Sequence, residues 1–268
     1  MRGMLSAICS IYGVVATDSS VVFDSTNTTT GVENTWVVPA GVYSISVLAV
    51  GAGGPTYGSS YCCCQWTGGD GGGGGALAYA NNISVTPGQP ITYCVGGGNL
   101  AGITYSYFGG SSSPYVKAQS GHNEYNGGRG GTVVAGSGGN GGDGGAGNVY
   151  AQGGGGGGAG GYSGNGGNGN IQPSNTNSTA GSGGGGGGGG YGRSGGGVGL
   201  FGQGADGIAG GLNPNNSGSG GITPLTGNNG GTYGGGAGSQ NSLGGSGAIR
   251  IVWGGATRQF PSTNVSTT

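Results

Sequence analysis

Short stretches in which apolar and polar residues alternate are the clearest structural signal in this chain. From Val42 to Val50 every second residue lies on the same face, which is the period-two pattern of a half-buried β-strand. The residues on the predicted inner face are Tyr43, Ile45, Val47 and Ala49. The stretch Ala248–Trp253 alternates in the same way, with one side formed by Ile249, Ile251 and Trp253. Both stretches are predicted to be strands.

Other short apolar stretches predict further strands. A strand is predicted at Val21–Phe23, and the apolar run Trp36–Val38 leads to a turn at Pro39–Gly41. Ala76–Val85 is predicted to be a strand that stops at the turn Thr86–Pro90, and Ile91–Val95 is predicted to return as the second strand of a hairpin. No segment has a convincing helical period.

Between the predicted strands the chain is dominated by glycine, with 81 glycines among 268 residues. The stretch from Gly121 to Gly247 includes a six-glycine run at Gly153–Gly158 and an eight-glycine run at Gly183–Gly190. Glycine weakens the interiors of helices and strands and brings no side chain to a core. The stretch is therefore either a flexible, disordered tract or a set of polyglycine II helices, which have three residues per turn and hydrogen-bond to one another sideways.

The spacing of the non-glycine residues favours polyglycine II helices. In three segments these residues recur at every third position, which a three-fold helix places along one edge. The three sets are Asn140, Asp143, Ala146 and Val149; Tyr162, Asn165 and Asn168; and Leu200, Gln203, Asp206, Ala209 and Leu212. The remaining two edges are then almost pure glycine and can make close lateral contacts.

These patterns predict a mainly β and irregular fold with no significant α-helix. A small antiparallel β platform, closed by the C-terminal strand, would carry a layered bundle of glycine-rich polyglycine II helices. We expect residues 1–31 to be an N-terminal assembly arm, residues 32–255 the glycine-rich domain and residues 256–268 a C-terminal tail. The arm contains the apolar run Met4–Ala16, which is short for a membrane span. A weak signal peptide is one alternative, but an arm buried against its own domain or a partner chain fits the run better.

Several stretches of the chain resemble a known class of virion protein. Residues 36–54 have the sequence WVVPAGVYSISVLAVGAGG, residues 72–98 have GGGGALAYANNISVTPGQPITYCVGGG, and residues 247–254 have GAIRIVWG. Together they resemble the glycine-rich domain found in tail-fibre and other virion proteins of tailed bacteriophages. The closing run Arg258–Asn264, RQFPSTN, is similar to the terminus of such proteins in phages of marine bacteria and cyanobacteria.

The glycine-rich body also resembles the receptor-binding tip adhesins of T-even-type phages, in which layered polyglycine II helices carry variable loops. This resemblance implies a virion protein without enzymatic activity, at or near a tail fibre, that contacts the host.

Charge and the scarcity of catalytic residue types exclude several classes of function. A net charge of −1 gives no long-range attraction for nucleic acid or for an anionic membrane. A single GGRGG motif around Arg129 is a weak electrostatic basis for RNA binding. His122 is the one histidine, with Glu124 two residues further on, and no nucleophile or acid pair has a supporting neighbour in the sequence. We therefore expect no catalysis, no cofactor, no metal site and no nucleic-acid or membrane partner.

The five cysteines are Cys9, Cys62, Cys63, Cys64 and Cys94. The triplet resembles neither a zinc-binding pair nor a common disulfide framework. Two alternatives stay open. One residue of the triplet pairs with Cys94, or the thiols are free and half-buried in a loop.

The candidate binding residues lie in two insertions rich in Tyr, Asn and Ser. The first insertion contains Tyr57, Tyr61 and Trp66, and the second contains Tyr105, Tyr107, Tyr115, His122 and Tyr125. Aromatic rings with polar tips, set among Ser, Gly and Asn, form adaptable contact surfaces and stack on sugar rings. They are candidates for binding a host cell-surface glycan or outer-membrane protein. The plain alternative is that the rings pack onto the glycine layers.

Three functional hypotheses of different classes follow. The first is a non-enzymatic virion protein in the phage tail, a tail fibre or tip adhesin, that binds the host and forms oligomers. The second is a purely structural subunit, either a virion decoration or an extracellular filament at a cell surface. Its contacts with other subunits would be made by Met4–Ala16 through strand addition. The third is an ice-binding protein, which requires a flat array of small residues that the observed edges do not match.

Overall fold

The computed structural model is mainly β, and the residues that it describes form no α-helix. The described residues are 19–26, 28, 30–58, 61–62, 65–66, 68–98, 104–148, 152–171, 177–211, 217–220, 229–238, 242–254, 257–262 and 265. The predicted arm segment Met4–Ala16 lies outside them. The strands are β1 (Ser19–Asp24), β2 (Glu33–Val37), β3 (Ser44–Val50), β4 (Tyr61–Cys62), β5 (Gln65–Trp66), β6 (Leu77–Ser84), β7 (Pro90–Cys94), β8 (Tyr105–Phe108), β9 (Val116–Gln119), β10 (Val133–Ala135), β11 (Ser137–Gly139) and β12 (Ala248–Trp253).

The first sheet contains five antiparallel strands in the order β1-β12-β3-β6-β11. The C-terminal strand β12 is the second strand in this order, so that Ile251 pairs with Val21 on one side and with Val47 on the other. The prediction that sequence-distant strands meet around the glycine-rich body is confirmed. The last strand, however, is an interior strand of the sheet, between β1 and β3.

The second sheet also has five antiparallel strands, in the order β10-β9-β8-β7-β2. The predicted hairpin is wrong, because β6 belongs to the first sheet and β7 to the second. The turn Thr86–Pro90 carries the chain from the first sheet to the second. On one side of this turn the N–H of Val85 donates to the carbonyl of Tyr43, which precedes β3, and on the other side the carbonyl of Gln89 accepts from the N–H of Val38, which follows β2. A third, two-stranded sheet is formed by β4 and β5.

The first sheet is buried on both faces. Ile45, Val47 and Ala49 face the second sheet, together with Ile249 and Ile251. The opposite face packs on the glycine-rich body and tail, with Leu48, Val50, Leu77, Tyr162, Leu200 and Phe260 in one cluster. The alternating pattern predicted burial of one face of β3, whereas both of its faces are buried. Tyr43 was assigned to the inner face wrongly, because it precedes β3 and is 69% exposed.

One charged residue lies inside the second cluster. Arg250 is fully buried and donates from its guanidinium to the backbone oxygens of Leu200, at 2.8 Å, and Val265. Its guanidinium carbon lies 4.3 Å from the centre of the Phe201 ring. Burial lowers the pKa of Arg250 to about 10. Arg250 therefore joins β12, the glycine-rich body and the described part of the C-terminal tail.

The glycine-rich body is held together by backbone hydrogen bonds that repeat every three residues. Segment 68–76 shows the pattern most completely. Apart from Asp70, which donates to Tyr57, its N–H groups donate to three neighbouring segments, 142–148, 234–237 and 119–122. Its carbonyl groups accept from three others, 128–131, 154–160 and 51–54. The segment therefore has six neighbours, with donors and acceptors pointing out in different directions.

Two further segments have the same arrangement. Segment 154–161 donates to segments 69–75, 164–170 and 193–196 and accepts from segments 142–145, 186–189 and residue 236. In segment 185–189, residues 186–189 donate to segment 156–159 and residues 179 and 219, and the segment accepts from segments 167–170 and 207–210 and residue 196. Because buried backbone groups need partners, this lateral network takes the place of a side-chain core.

The outer edge of the body explains part of the three-residue spacing. Asp143 accepts the N–H of Gly130 at 2.8 Å, Asn168 accepts the N–H of Asp143 at 2.9 Å, and Thr179 accepts the N–H of Asn168 at 2.7 Å. A side chain from each segment thus satisfies an edge N–H of the preceding one. Not every predicted edge residue is at the surface, because Tyr162 and Leu200 are buried against the first sheet.

Candidate functional site

The glycine segments turn at two ends, and one of these ends lies away from the two five-stranded sheets. Val50 and Leu77 are strand residues, so Gly51 and Ala76 mark the end of the body next to the first sheet, which we call the strand end. The opposite end, the loop end, contains the described residues 56–58, 68–70, 122–128, 147–148, 190–193 and 242. Backbone contacts connect its parts, including a bond from Thr56 to Ser242 and a bridge between Tyr57 and Asp70.

Asp70 is the residue on which several parts of the loop end meet. One carboxylate oxygen accepts the N–H of Asn126 at 3.0 Å, and the other accepts the N–H of Gly147 at 2.7 Å. The Asp70 backbone exchanges two hydrogen bonds with Tyr57, at 2.9 and 3.2 Å. Burial raises the pKa of Asp70, while the two N–H donors act to lower it. Asp70 therefore fixes the first insertion, the 122–128 turn and the Gly147 turn relative to one another.

The 122–128 turn presents an exposed ring on a hydrogen-bonded base. Tyr125 is 76% exposed, and the following Asn126 has a left-handed backbone with φ 69°. Beside it, the Glu124 carboxylate lies 3.4 Å from Nδ1 of His122 and 3.1 Å from Nε of Arg129. The His122 carbonyl accepts from the N–H of Gly73 at 3.0 Å, so the first residue of the turn is bonded to the glycine segment 68–76.

The structure brings some of the predicted binding residues together. Tyr57, which is 43% exposed, lies at the loop end with His122 and Tyr125. Tyr61 and Trp66 form a backbone pair between β4 and β5, within the insertion that starts and ends at the loop end. Their side chains lie outside the described part of the structure.

The remaining predicted residues lie elsewhere, on or beside the second sheet. Tyr105 and Tyr107 belong to strand β8, although they were predicted to lie in a loop. Tyr107 is only 7% exposed, and its hydroxyl donates to Glu33 at 2.5 Å. The Lys117 ammonium lies 4.3 Å from the centre of the Tyr105 ring.

Tyr115 lies in the connection between β8 and β9, on the side of the second sheet remote from the loop end. The eight residues therefore do not form one surface.

Cys94 is a buried free thiol on β7, so the alternative in which it pairs with one of the triplet is wrong. Burial raises its pKa, and so does the nearby Glu33. The side chains of Cys62, Cys63 and Cys64 lie outside the described residues.

No local sequence motif indicates the role of Asp70. Its two side-chain partners are 56 and 77 positions away, so no local motif contains them. The one available clue was a single carboxylate directly before the five-glycine run Gly71–Gly75.

The described residues contain no group of three or more His, Cys, Asp or Glu side chains able to hold a metal ion. Within the same residues there is also no helix of the length and apolarity needed to cross a membrane. No protein-family model matches the chain, and no curated protein matches its sequence.

Proposed function

We propose that the glycine-rich body is a layered bundle of polyglycine II helices. Two observations support this proposal: the three-residue hydrogen-bond period, and the six neighbours around segments 68–76, 154–161 and 185–189. A three-fold helix with about 3 residues per turn directs successive N–H groups in three directions, which fits donors that alternate among three neighbouring segments.

On this basis the chain is a non-enzymatic virion protein of a tailed phage, a tail fibre or tip adhesin that contacts a host surface receptor. The observation that carries the proposal is the meeting of Tyr57, Asp70 and the Tyr125 turn at the loop end, away from the two five-stranded sheets. A laterally bonded body is a stiff support, and loops on stiff supports are where binding residues concentrate. The resemblance to phage tip adhesins supports the same assignment.

The chemistry of the loop end suits a bacterial surface glycan or an outer-membrane protein. Exposed tyrosines offer apolar ring faces with a hydrogen-bonding tip and lose little conformational entropy on binding. Glu124 and Arg129 place one charge of each sign near Tyr125. Polar groups of a partner can therefore bind there although the net charge of the chain is close to zero. The partners in the particle would be other virion subunits.

The test is host binding by a variant in which Tyr57 and Tyr125 are both replaced by serine. Binding of the labelled full chain to bacterial cells that bind the unaltered chain should fall by about thirtyfold, since a true hot spot is worth about 2 kcal/mol. The matched control is Tyr43→Ser, which removes a tyrosine that is 69% exposed and lies just before β3, at the end of that strand opposite to the glycine-rich body.

Equal binding by the double variant and the control would contradict receptor binding by the loop end. The alternative would then be a purely structural subunit, a virion decoration or an extracellular filament, that assembles through its N-terminal arm.

A further inference from the structure

One flank of the glycine-rich body carries exposed polar side chains on three neighbouring segments, 139–145, 164–170 and 179–182. The segments lie side by side: the N–H of Gly166 donates to the carbonyl of Asn140, and the N–H of Ser182 donates to the carbonyl of Asn165. Residue 139 ends β11 and residue 148 lies at the loop end, so this flank extends between the two ends of the body. We call it the amide face, and its exposed residues are Asn140, Asp143, Asn165, Asn168 and Thr179.

The three asparagine side chains of the amide face are each held by a backbone N–H of a neighbouring segment. The side-chain oxygen of Asn140 accepts from Val133 at 2.9 Å. The oxygen of Asn165 accepts from Asn140 at 3.0 Å, and the oxygen of Asn168 accepts from Asp143 at 2.9 Å. A backbone N–H can only donate, so the oxygen of each amide must face it and the NH₂ group must be directed away.

This geometry leaves hydrogen-bond donors free at the surface. In the part of the chain that the structure describes, none of the three amide nitrogens has a hydrogen-bond partner. Each NH₂ group carries two N–H donors. Asp143 adds an acceptor, because only one of its carboxylate oxygens accepts from Gly130. Side chains that the fold already holds lose little conformational entropy when they bind a partner.

The residue types of the amide face determine which class of partner it fits. Protein interfaces depend on aromatic or arginine anchors, and none of the five residues is of these types. Nucleic-acid binding needs lysine or arginine for the phosphates, whereas the one charge among the five residues is the negative charge of Asp143. The hydroxyl and ether oxygens of a polysaccharide accept hydrogen bonds from N–H donors. A neutral polysaccharide is also not repelled by Asp143.

We infer that the amide face binds a neutral polysaccharide chain that lies across the neighbouring segments. Asn165 and Asn168 are three positions apart, at most about 10 Å along their segment, and Asn140 lies on the adjacent segment. Several sugar units of one chain can therefore contact the three amides together. Acidic polysaccharides bind less well, because Asp143 repels them. The inference concerns a different surface from the loop end and does not rest on host binding there.

An array of purified neutral and acidic bacterial polysaccharides tests the inference with the full chain. The double variant Asn165→Asp/Asn168→Asp retains the oxygens that accept from the neighbouring backbone and replaces both NH₂ groups by carboxylate oxygens. It should stay folded, as measured by thermal melting. Its affinity for the neutral polysaccharides that the unaltered chain binds should fall by about tenfold or more, since two sets of donors are lost.

The matched control is the double variant Asn82→Asp/Asn229→Asp. It makes the same change of charge at two exposed asparagines outside the amide face, whose side-chain oxygens accept from Gln259 and Leu243. Its binding to the array should equal that of the unaltered chain. Equal loss of binding in the control would show that added negative charge is responsible and would overturn the inference.

Three other results would also overturn it. They are unchanged binding by the Asn165/Asn168 variant, no binding of the unaltered chain to any neutral polysaccharide, and loss of binding only when Tyr57 and Tyr125 are replaced. Hydrogen exchange in the unaltered chain gives a second test that needs no variant. A bound polysaccharide should slow exchange at the N–H groups of Asn140 and Asp143, because it holds the amides that accept from them. Unchanged exchange at both would contradict binding at this face.

Discussion

The carboxylate of Asp70 accepts a hydrogen bond from the backbone N–H of Asn126, 3.0 Å away and 56 positions along the chain. The second oxygen of the same carboxylate accepts from Gly147. With Tyr57 paired to the Asp70 backbone, a single residue fixes three connections at the loop end. Such preorganisation lowers the entropy that a loop loses when it binds a partner.

Replacing Asp70 by asparagine should loosen the loop end while the body stays folded. The amide keeps one acceptor oxygen, so one of the two bonds, to Asn126 or to Gly147, must be lost, at a cost on the order of 1 kcal/mol. We expect faster hydrogen exchange in residues 121–128 or 147–148 and a nearly unchanged melting temperature. The control is Asp143→Asn, because Asp143 makes its bond to Gly130 through one oxygen, which the amide retains. Unchanged exchange in both regions of the Asp70 variant would contradict this role.

Replacing Gly186 by valine should abolish soluble folded protein. Gly186 donates to Ala159 and accepts from Gly167, and a Cβ at this position would overlap the carbonyl group of Gly196. Separating the segments breaks hydrogen bonds whose buried groups then have no partner. Gly204→Val is the matched control, because a Cβ there meets nothing within 4 Å. Soluble expression and thermal melting measure the effect, and equal melting of the two variants would refute close lateral packing.

The free energy of unfolding should fall in alkaline solution, because folding raises the pKa of several tyrosines. Burial, together with the hydrogen bond to Asp24, raises the pKa of Tyr233 to about 12. Burial also raises the pKa values of Tyr107 and Tyr162. A tyrosine in the unfolded chain ionises near pH 10, so the stability from each raised pKa is complete below about pH 10 and lost as pH rises through the folded pKa. The lowered pKa of Arg250 has the opposite effect, since the folded chain loses this proton at a lower pH than the unfolded chain does. Three tyrosines outweigh this single arginine.

The variant Tyr233→Phe isolates one of these groups. Between about pH 10 and pH 12 its unfolding free energy should fall less steeply than that of the unaltered chain, by about 1.4 kcal/mol per pH unit. Denaturant unfolding at a series of pH values measures the slope. The exposed Tyr43→Phe should leave the slope unchanged, and identical slopes for all three proteins would be inconsistent with the assigned shift.

The local sequence pattern predicted strands β3, β6, β7 and β12, but not β8 and β9, which also contribute to the core. The strand Ala248–Trp253 was predicted with its boundaries, and Ile45, Val47 and Ala49 lie on the predicted face. Prediction failed where the deciding contacts are distant in sequence. Nothing near Thr86–Pro90 indicates that the turn crosses between two sheets, and nothing near Tyr105 indicates that β8 pairs with β7 and β9.

The candidate site was predictable only in part. Tyr57 and Tyr125 were identified from residue type and loop position, and both are exposed at the loop end. Tyr107 has the same residue type but is buried on β8, where its hydroxyl donates to Glu33, 74 positions away. Asp70 was missed because its function depends on which glycine segments lie side by side. The lateral hydrogen bonds show which segments are neighbours. The glycine runs resemble one another so closely that the local sequence does not indicate which of them pair.

The central claim is that the loop end faces the host. A cryo-electron microscopy map of the assembled virion tests it most directly, with the chain located by its two five-stranded sheets. We predict that Tyr57 and Tyr125 lie at the free tip and that the sheets lie toward the neighbouring subunits. A map in which Tyr57 and Tyr125 are buried between subunits, with the sheets at the free surface, would contradict the account.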